Sequence, residues 1–154
     1  MGRMYSVSFT AVSVTAAQDL IGIYGAAGKM CRPRRVSVNI AASTLPTAVG
    51  LELRCRYLPA TVTAGSGGTA PTPQKLDPGD AAASFTARAN DTTPATTNGT
   101  AAVLESNGCH IFAGYDYQFS FPPNIGPSEA FVFELLNTVT ATLSGTVIVE
   151  ELGG

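Results

Sequence analysis

Apolar side chains recur at every second position through most of this chain, and that period suits strands rather than helices. Tyr5, Val7 and Phe9 alternate with Ser6 and Ser8. Val12 and Val14 then carry the opposite parity, which predicts a β-bulge near Thr10 and Ala11. Ile21 and Ile23 mark a short second strand. Val36, Val38 and Ile40 alternate with Arg35, Ser37 and Asn39, and Leu51, Leu53, Cys55 and Tyr57 with Glu52, Arg54 and Arg56. Further strands are expected around Phe85 and Ala87, Val103 and Leu104, Tyr115 through Phe121, Phe131 through Leu135, and Val147 and Val149. Turn-forming pairs separate these runs: Leu45-Pro46, Asn98-Gly99, Asn107-Gly108, Pro122-Pro123-Asn124, Gly126-Pro127 and Ser144-Gly145. One helical turn is expected around residues 15–20, and a solvated terminus at Glu150 and Glu151.

These signals predict an all-β chain, an antiparallel β-sandwich of jelly-roll type with eight or nine short strands and long loops. At 154 residues the sequence is one domain's worth and can bury a real core. Residues 1–154 are read as a single β-sandwich domain with an extended Gly/Pro/Thr-rich loop region over 63–100. That region holds only two large apolar side chains, Leu76 and Phe85, and includes Gly65-Ser66-Gly67-Gly68. Within it, the conformational entropy of ordering residues 63–80 exceeds what burying Leu76 returns. That stretch is therefore expected to stay mobile or to be ordered by a partner.

Charge narrows the function. Only 13% of residues are charged and the net charge is −2, so the basic balance of a nucleic-acid binder is missing. The apolar run at 20–28 is too short and too glycine-rich to span a bilayer, and residues 1–9 lack the apolar core of a secretory signal; neither nucleic acid nor membrane is expected as a partner. Cys31, Cys55 and Cys109 are widely spaced and are read as reduced thiols without a metal motif. His110, the single histidine, adjoins Cys109, but neighbouring strand residues point to opposite faces, which argues against a dyad. Asp77-Pro78-Gly79-Asp80 reads as a tight turn rather than a calcium loop. No cofactor, metal or catalytic set is expected, and the chain is read as a non-enzyme.

Seven arginines outnumber two lysines. Arg32, Arg34, Arg35, Arg54 and Arg56 fall in two strands expected to be neighbours, with Arg35, Arg54 and Arg56 outward. Two readings stand: a solvated sheet face with Glu52 as internal partner, or a docking patch for acidic groups on another subunit. Tyr115, Tyr117, Phe119 and Phe121 have strand spacing, which puts one face in the core. The sharper alternative makes Tyr115 and Tyr117 a sugar-stacking platform.

The motif Arg54-x-Arg56-Tyr57-Leu58-Pro59-Ala60-Thr61-Val62-Thr63 is followed by Gly65-Ser66-Gly67-Gly68 and Leu76-Asp77-x-Gly79-Asp80-Ala81-Ala82-Ala83. Phe85-Thr86-Ala87-Arg88-Ala89-Asn90-Asp91-Thr92-Thr93 completes it. This succession resembles small proteins encoded in tailed-phage and prophage structural gene clusters, and the likeness extends more loosely over most of the chain. Size, β-sandwich pattern and setting are similar to capsid cement (decoration) proteins, typically jelly rolls seated on the outer head shell. The resemblance implies a non-enzymatic virion protein, made in the host cytoplasm and placed on the phage head exterior. It implies a homo-oligomer, dimer or trimer, that binds the major capsid protein and bridges its subunits. The residues expected to meet the shell or a neighbouring subunit are Arg32, Arg34, Arg35, Arg54, Arg56, Gly65, Gly67, Gly68, Leu76 and Arg88. The 63–80 stretch and both termini are expected as arms ordered by the shell. The alternative is a fibre or tail-associated module recognising host surface glycan.

Overall fold

The computed structural model describes residues 2–153 and contains twelve strands and, among those residues, no helix. They are β1 (Arg3–Val14), β2 (Gln18–Tyr24), β3 (Met30–Ile40), β4 (Gly50–Leu58), β5 (Val62–Thr63) and β6 (Gln74–Lys75). β7 (Thr86–Asp91), β8 (Thr96–Thr97), β9 (Ala102–His110), β10 (Tyr115–Gln118), β11 (Ala130–Leu135) and β12 (Ala141–Leu152) follow. One five-stranded antiparallel sheet has the order β10-β3-β12-β1-β6, the other β7-β2-β11-β4-β9. Without the edge additions β6 and β7, eight strands remain, and every link between them except β4 to β9 crosses from one sheet to the other. That connectivity is a jelly roll, as the strand pattern predicts.

Alternation decides what each strand buries. Tyr5, Val7, Phe9, Val36, Val38, Val147 and Val149 line the inner face of the first sheet, opposite Ile21, Ile23, Leu51, Leu53, Phe131 and Phe133 of the second. Two aromatic contacts tie the layers together. Tyr115 stacks on Phe133 with ring centres 6.0 Å apart, and Phe119 meets Phe131 edge-on at 5.7 Å.

The expected bulge is present. Pairing of β1 with β12 slips between Phe9 and Val12, Ala11 takes a φ of 50°, and its N–H donates to Ser144 Oγ at 2.9 Å. The extra residue returns Val14 to the core after the change of parity. A second slip, between Ile148 and Val149 of β12, lies opposite Pro33 to Arg35 of β3. Proline cannot donate to the ladder, and the irregularity accommodates it while moving the buried set from Cys31 and Pro33 to Val36 and Val38. Gly145 makes room for Phe9: a Cβ there would lie 2.6 Å from the ring. Gly145→Ala is expected to cost about 1–2 kcal/mol by overpacking, read as a lower denaturant midpoint at unchanged m-value.

Four expectations are corrected. No helical turn forms near residues 15–20, because β2 begins at Gln18 and pairs at once with Leu135 of β11. Asn107 and Gly108 do not break the chain; they pair with Leu53 and Glu52 inside β9. Phe121 leaves the core alternation, since β10 ends at Gln118, and stands 95% exposed. The termini are not arms, for β1 and β12 are paired neighbours within the first sheet, while residues 1 and 154 lie outside the described residues.

The largest correction concerns residues 63–100, where the strand expected around Phe85 and Ala87 forms as β7 but the rest is anchored to the sandwich by the chain itself. β6 adds to the free edge of β1, and β7 adds to that of β2. Between them Phe85, 3% exposed, packs edge-on against Tyr5 and plugs the gap between the sheets, while Tyr5 Oη donates to Ala81 O at 2.9 Å. The stretch after β7 folds over the outer face of the second sheet, where Ala95 joins Leu58, Ala130 and Val132 in a small second core. Hence β2 and β11 are buried on both faces. Backbone pairing supplies the anchoring that large side chains do not: Ser66 and Thr93 exchange two hydrogen bonds at 3.0 Å, and Thr69 and Ala89 two at 2.8–2.9 Å. Small residues permit this approach, since a Cβ on Gly68 would lie 2.1 Å from Ala89 O.

Candidate interaction surfaces

The arginines do not form one patch. β3 and β4, expected as neighbours, belong to opposite sheets, so Arg32, Arg34 and Arg35 are on one layer and Arg54 and Arg56 on the other. Each also has a partner within the chain. Arg32 Nε donates to Asn124 Oδ1, Arg34 pairs with Glu150 at 2.7 Å, and Arg35 pairs with Asp116 across β3 and β10. The Arg35 guanidinium holds the Asp116 carboxyl below the usual carboxylate range. Arg54 and Arg56 both engage Glu134 rather than the expected Glu52.

Strand register explains that choice. Arg54 of β4, Glu134 of β11, Asp19 of β2 and Asp91 of β7 are successive cross-strand partners, forming one row across the second sheet. The insertion between β4 and β9, residues 63–100, covers this row, leaving Glu134 at 4%, Asp19 at 3% and Asp91 at 1% exposure. Arg88, three residues before Asp91, donates to both its carboxylate oxygens at 2.7 Å. Asp91 Oδ1 also accepts from Gly68 N at 3.0 Å. Asp19 Oδ2 accepts from Ala95 N at 2.7 Å. Burial, aided by the nearby charges of Glu134 and Asp91, pushes the Asp19 carboxyl up to about 6, against the opposing pull of that hydrogen bond and Arg56. Within the row, Asp19 latches the stretch after β7 to the sheet through Ala95 N, and Asp91 holds the 65–68 segment to β7 through Gly68 N.

Gly65, Gly67 and Gly68 therefore dock inward against Asp91, Thr93, Thr92 and Ala89 instead of forming a free flexible link. Leu76, by contrast, is 52% exposed on the turn after β6, its N–H donating to Met4 O. The adjoining Asp77-Pro78-Gly79-Asp80 is a tight turn, as expected: Asp80 N donates to Asp77 O, and Gly79 N to Asp77 Oδ1. Glu151, expected in solvent, is buried; it takes Lys29 on one oxygen and Ser84 N on the other.

Tyr115 is buried, and Tyr117 is half-buried, one face toward Tyr115 and Phe119 meeting it edge-on, so the two do not form an open two-ring platform. His110 is exposed at the end of β9, where its Nδ1 accepts from Phe112 N at 3.2 Å. All three cysteines are free thiols. Burial pushes Cys31 up to about 12 and Cys55 higher still, which keeps both protonated and unreactive. Among the described residues no three metal-ligating side chains converge, and no helix is long and apolar enough to cross a membrane.

Sequence reasoning missed the exposed apolar side chains in the strand connections. Leu45, Phe112 and Leu136 are 71%, 46% and 37% exposed. Their connections, β3 to β4, β9 to β10 and β11 to β12, all emerge at the same end of the sandwich, as the antiparallel registers require. Backbone bonds stitch these connections together: Ile111 N to Val49 O at 2.9 Å, Leu136 N to Glu52 O at 2.8 Å, and Ala41 N to Thr142 O at 2.9 Å. Asn137 adds contacts to Gly50 O and Glu52 N, both at 2.8 Å. The one sequence signal was the presence of leucine and phenylalanine beside turn residues. Comparison with protein-family models, curated proteins and solved structures finds no match for this chain.

Proposed function

We propose that this chain is a structural protein of a phage virion, a non-enzymatic cement or decoration protein that binds the outer capsid surface and bridges and stabilises major capsid subunits. The observation that carries this reading is the end of the sandwich whose connections, tied at their feet by backbone bonds, bear three exposed apolar side chains, Leu45, Phe112 and Leu136. The resemblance of the 54–93 segment to phage structural proteins supplies the partner class. Contacts at one such end are modest singly. Repetition over a shell lattice by a homo-oligomer raises their effective concentration, and bridging follows from simultaneous attachment.

Mass spectrometry of purified virions tests the reading through the ratio of this chain to the major capsid protein. Hundreds of copies per particle are the expected result, and a handful overturns it in favour of the tail or fibre alternative. Leu45→Asp combined with Leu136→Asp is expected to weaken co-sedimentation with undecorated heads by roughly tenfold or more while leaving the melting temperature unchanged. Unaltered binding would mean that another surface faces the shell.

A further inference from the structure

The end of the sandwich opposite the stitched loops carries two features that fit one another. Phe121 is 95% exposed, at the tip of the connection between β10 and β11. Both feet of this tip are clamped to β3: Phe119 N donates to Arg34 O at 2.9 Å, and Ile125 and Cys31 exchange backbone bonds at 2.8 and 3.0 Å. Arg32 holds Asn124 as well. The next two residues, Pro122 and Pro123, have fixed φ, so the ring is presented at little entropic cost. Nearby, the first residue of β3 and the last of β12 form an apolar cleft of about 390 Å³ with Met30, Pro127 and Leu152 as its walls. Met30 is 48% exposed there. The Lys29 ammonium at the rim is paired with Glu151 at 3.2 Å.

We propose that Phe121 of one copy of this chain seats in the Met30–Pro127–Leu152 cleft of a second copy. Knob and hole hang on the same strand, β3, yet the near-complete exposure of Phe121 shows that it does not fill the cleft of its own chain. Because knob and cleft lie at the same end of each copy, two copies meeting end to end exchange the contact reciprocally about a two-fold axis and close as a dimer. It needs no shell, so it stands or falls apart from the capsid reading.

Sedimentation equilibrium of the purified chain is expected to show a concentration-dependent oligomer. Phe121→Ala should weaken this by about 30-fold or more, the scale of an aromatic hot spot, with unchanged circular dichroism. A monomeric wild type, or a Phe121→Ala chain that associates as well as wild type, overturns the proposal. Disulfide trapping distinguishes the geometry. In a Cys109→Ser background, Pro122→Cys, which keeps the Phe121 ring, mixed with Met30→Cys should yield a cross-linked one-to-one dimer under mild oxidation, while each alone stays uncross-linked. Cross-linking of Pro122→Cys to itself, or none in the mixture, overturns the knob-in-cleft contact.

Discussion

Replacing Asp91 by Ala is expected to release the glycine-rich segment 65–68 from β7. The carboxylate is 1% exposed and accepts three hydrogen bonds, two from Arg88 and one from Gly68 N. Its removal leaves a guanidinium without its counter-charge and a backbone donor without an acceptor. Breaking a buried pair from one side costs about 3–5 kcal/mol, and the quarter exposure of Arg88 puts this case at the lower end. For a chain of this length that lowers the melting temperature by roughly 10 °C. The loss is local in origin, because the bonds of Gly68 and Thr69 to β7 and its flank lie within a few residues. Limited proteolysis should therefore begin to cut within 65–68 in the variant, whereas the wild type resists there. Asp91→Asn keeps an acceptor and should fall between the two. A variant as protease-resistant as wild type would show that Asp91 does not hold the 65–68 segment.

Stability should rise as pH falls from 7.5 toward 4, owing to Asp19. Its carboxyl stands at about 6 in the fold against 3.8 when free. Because the folded value is the higher one, protonation favours the folded state. The penalty for burying the charge is present in full above the folded value and is relieved as pH drops through 6 toward 3.8. Two units correspond to up to about 3 kcal/mol. The groups around Asp19 are Glu134 on β11, Arg56 on β4, Asp91 on β7 and the Ala95 amide of the insertion. Asp116 works the other way, since Arg35 lowers it and its contribution is lost in acid. Comparison with Asp19→Asn isolates the term, because Asn retains an oxygen for Ala95 N. The variant should exceed wild type in denaturant-derived stability at pH 7.5 and lose that advantage near pH 4. An advantage independent of pH would refute the charge-burial account.

Much of the architecture was legible in the residues. Alternation located the main strands, and the parity change from Phe9 to Val12 located the bulge that the register of β1 and β12 contains. The irregularity opposite Pro33 escaped notice, because the parity change from Pro33 to Val36 spans two adjacent arginines and proline was not counted as a core residue. The 63–100 region was misjudged for a different reason. Counting greasy side chains measures only one route to order, and here glycine, alanine and threonine let backbone approach backbone closely enough for strand-like pairing. The interaction residues were least legible. The arginines drew attention, but Glu134 and Asp91, which engage three of them, looked like ordinary strand carboxylates.

What the residues alone determined is which segments extend and which face of each is apolar, since both follow from a two-residue repeat that every strand carries within itself. Only the tertiary structure decided that β3 and β4 part company, that β6 and β7 close two sheet edges, and that one buried row of charges joins four strands. The physical reason is that strand edges present the same backbone donors and acceptors whatever their sequence. Which edges meet is settled by long-range closure of the chain and by the shape of the core between the sheets.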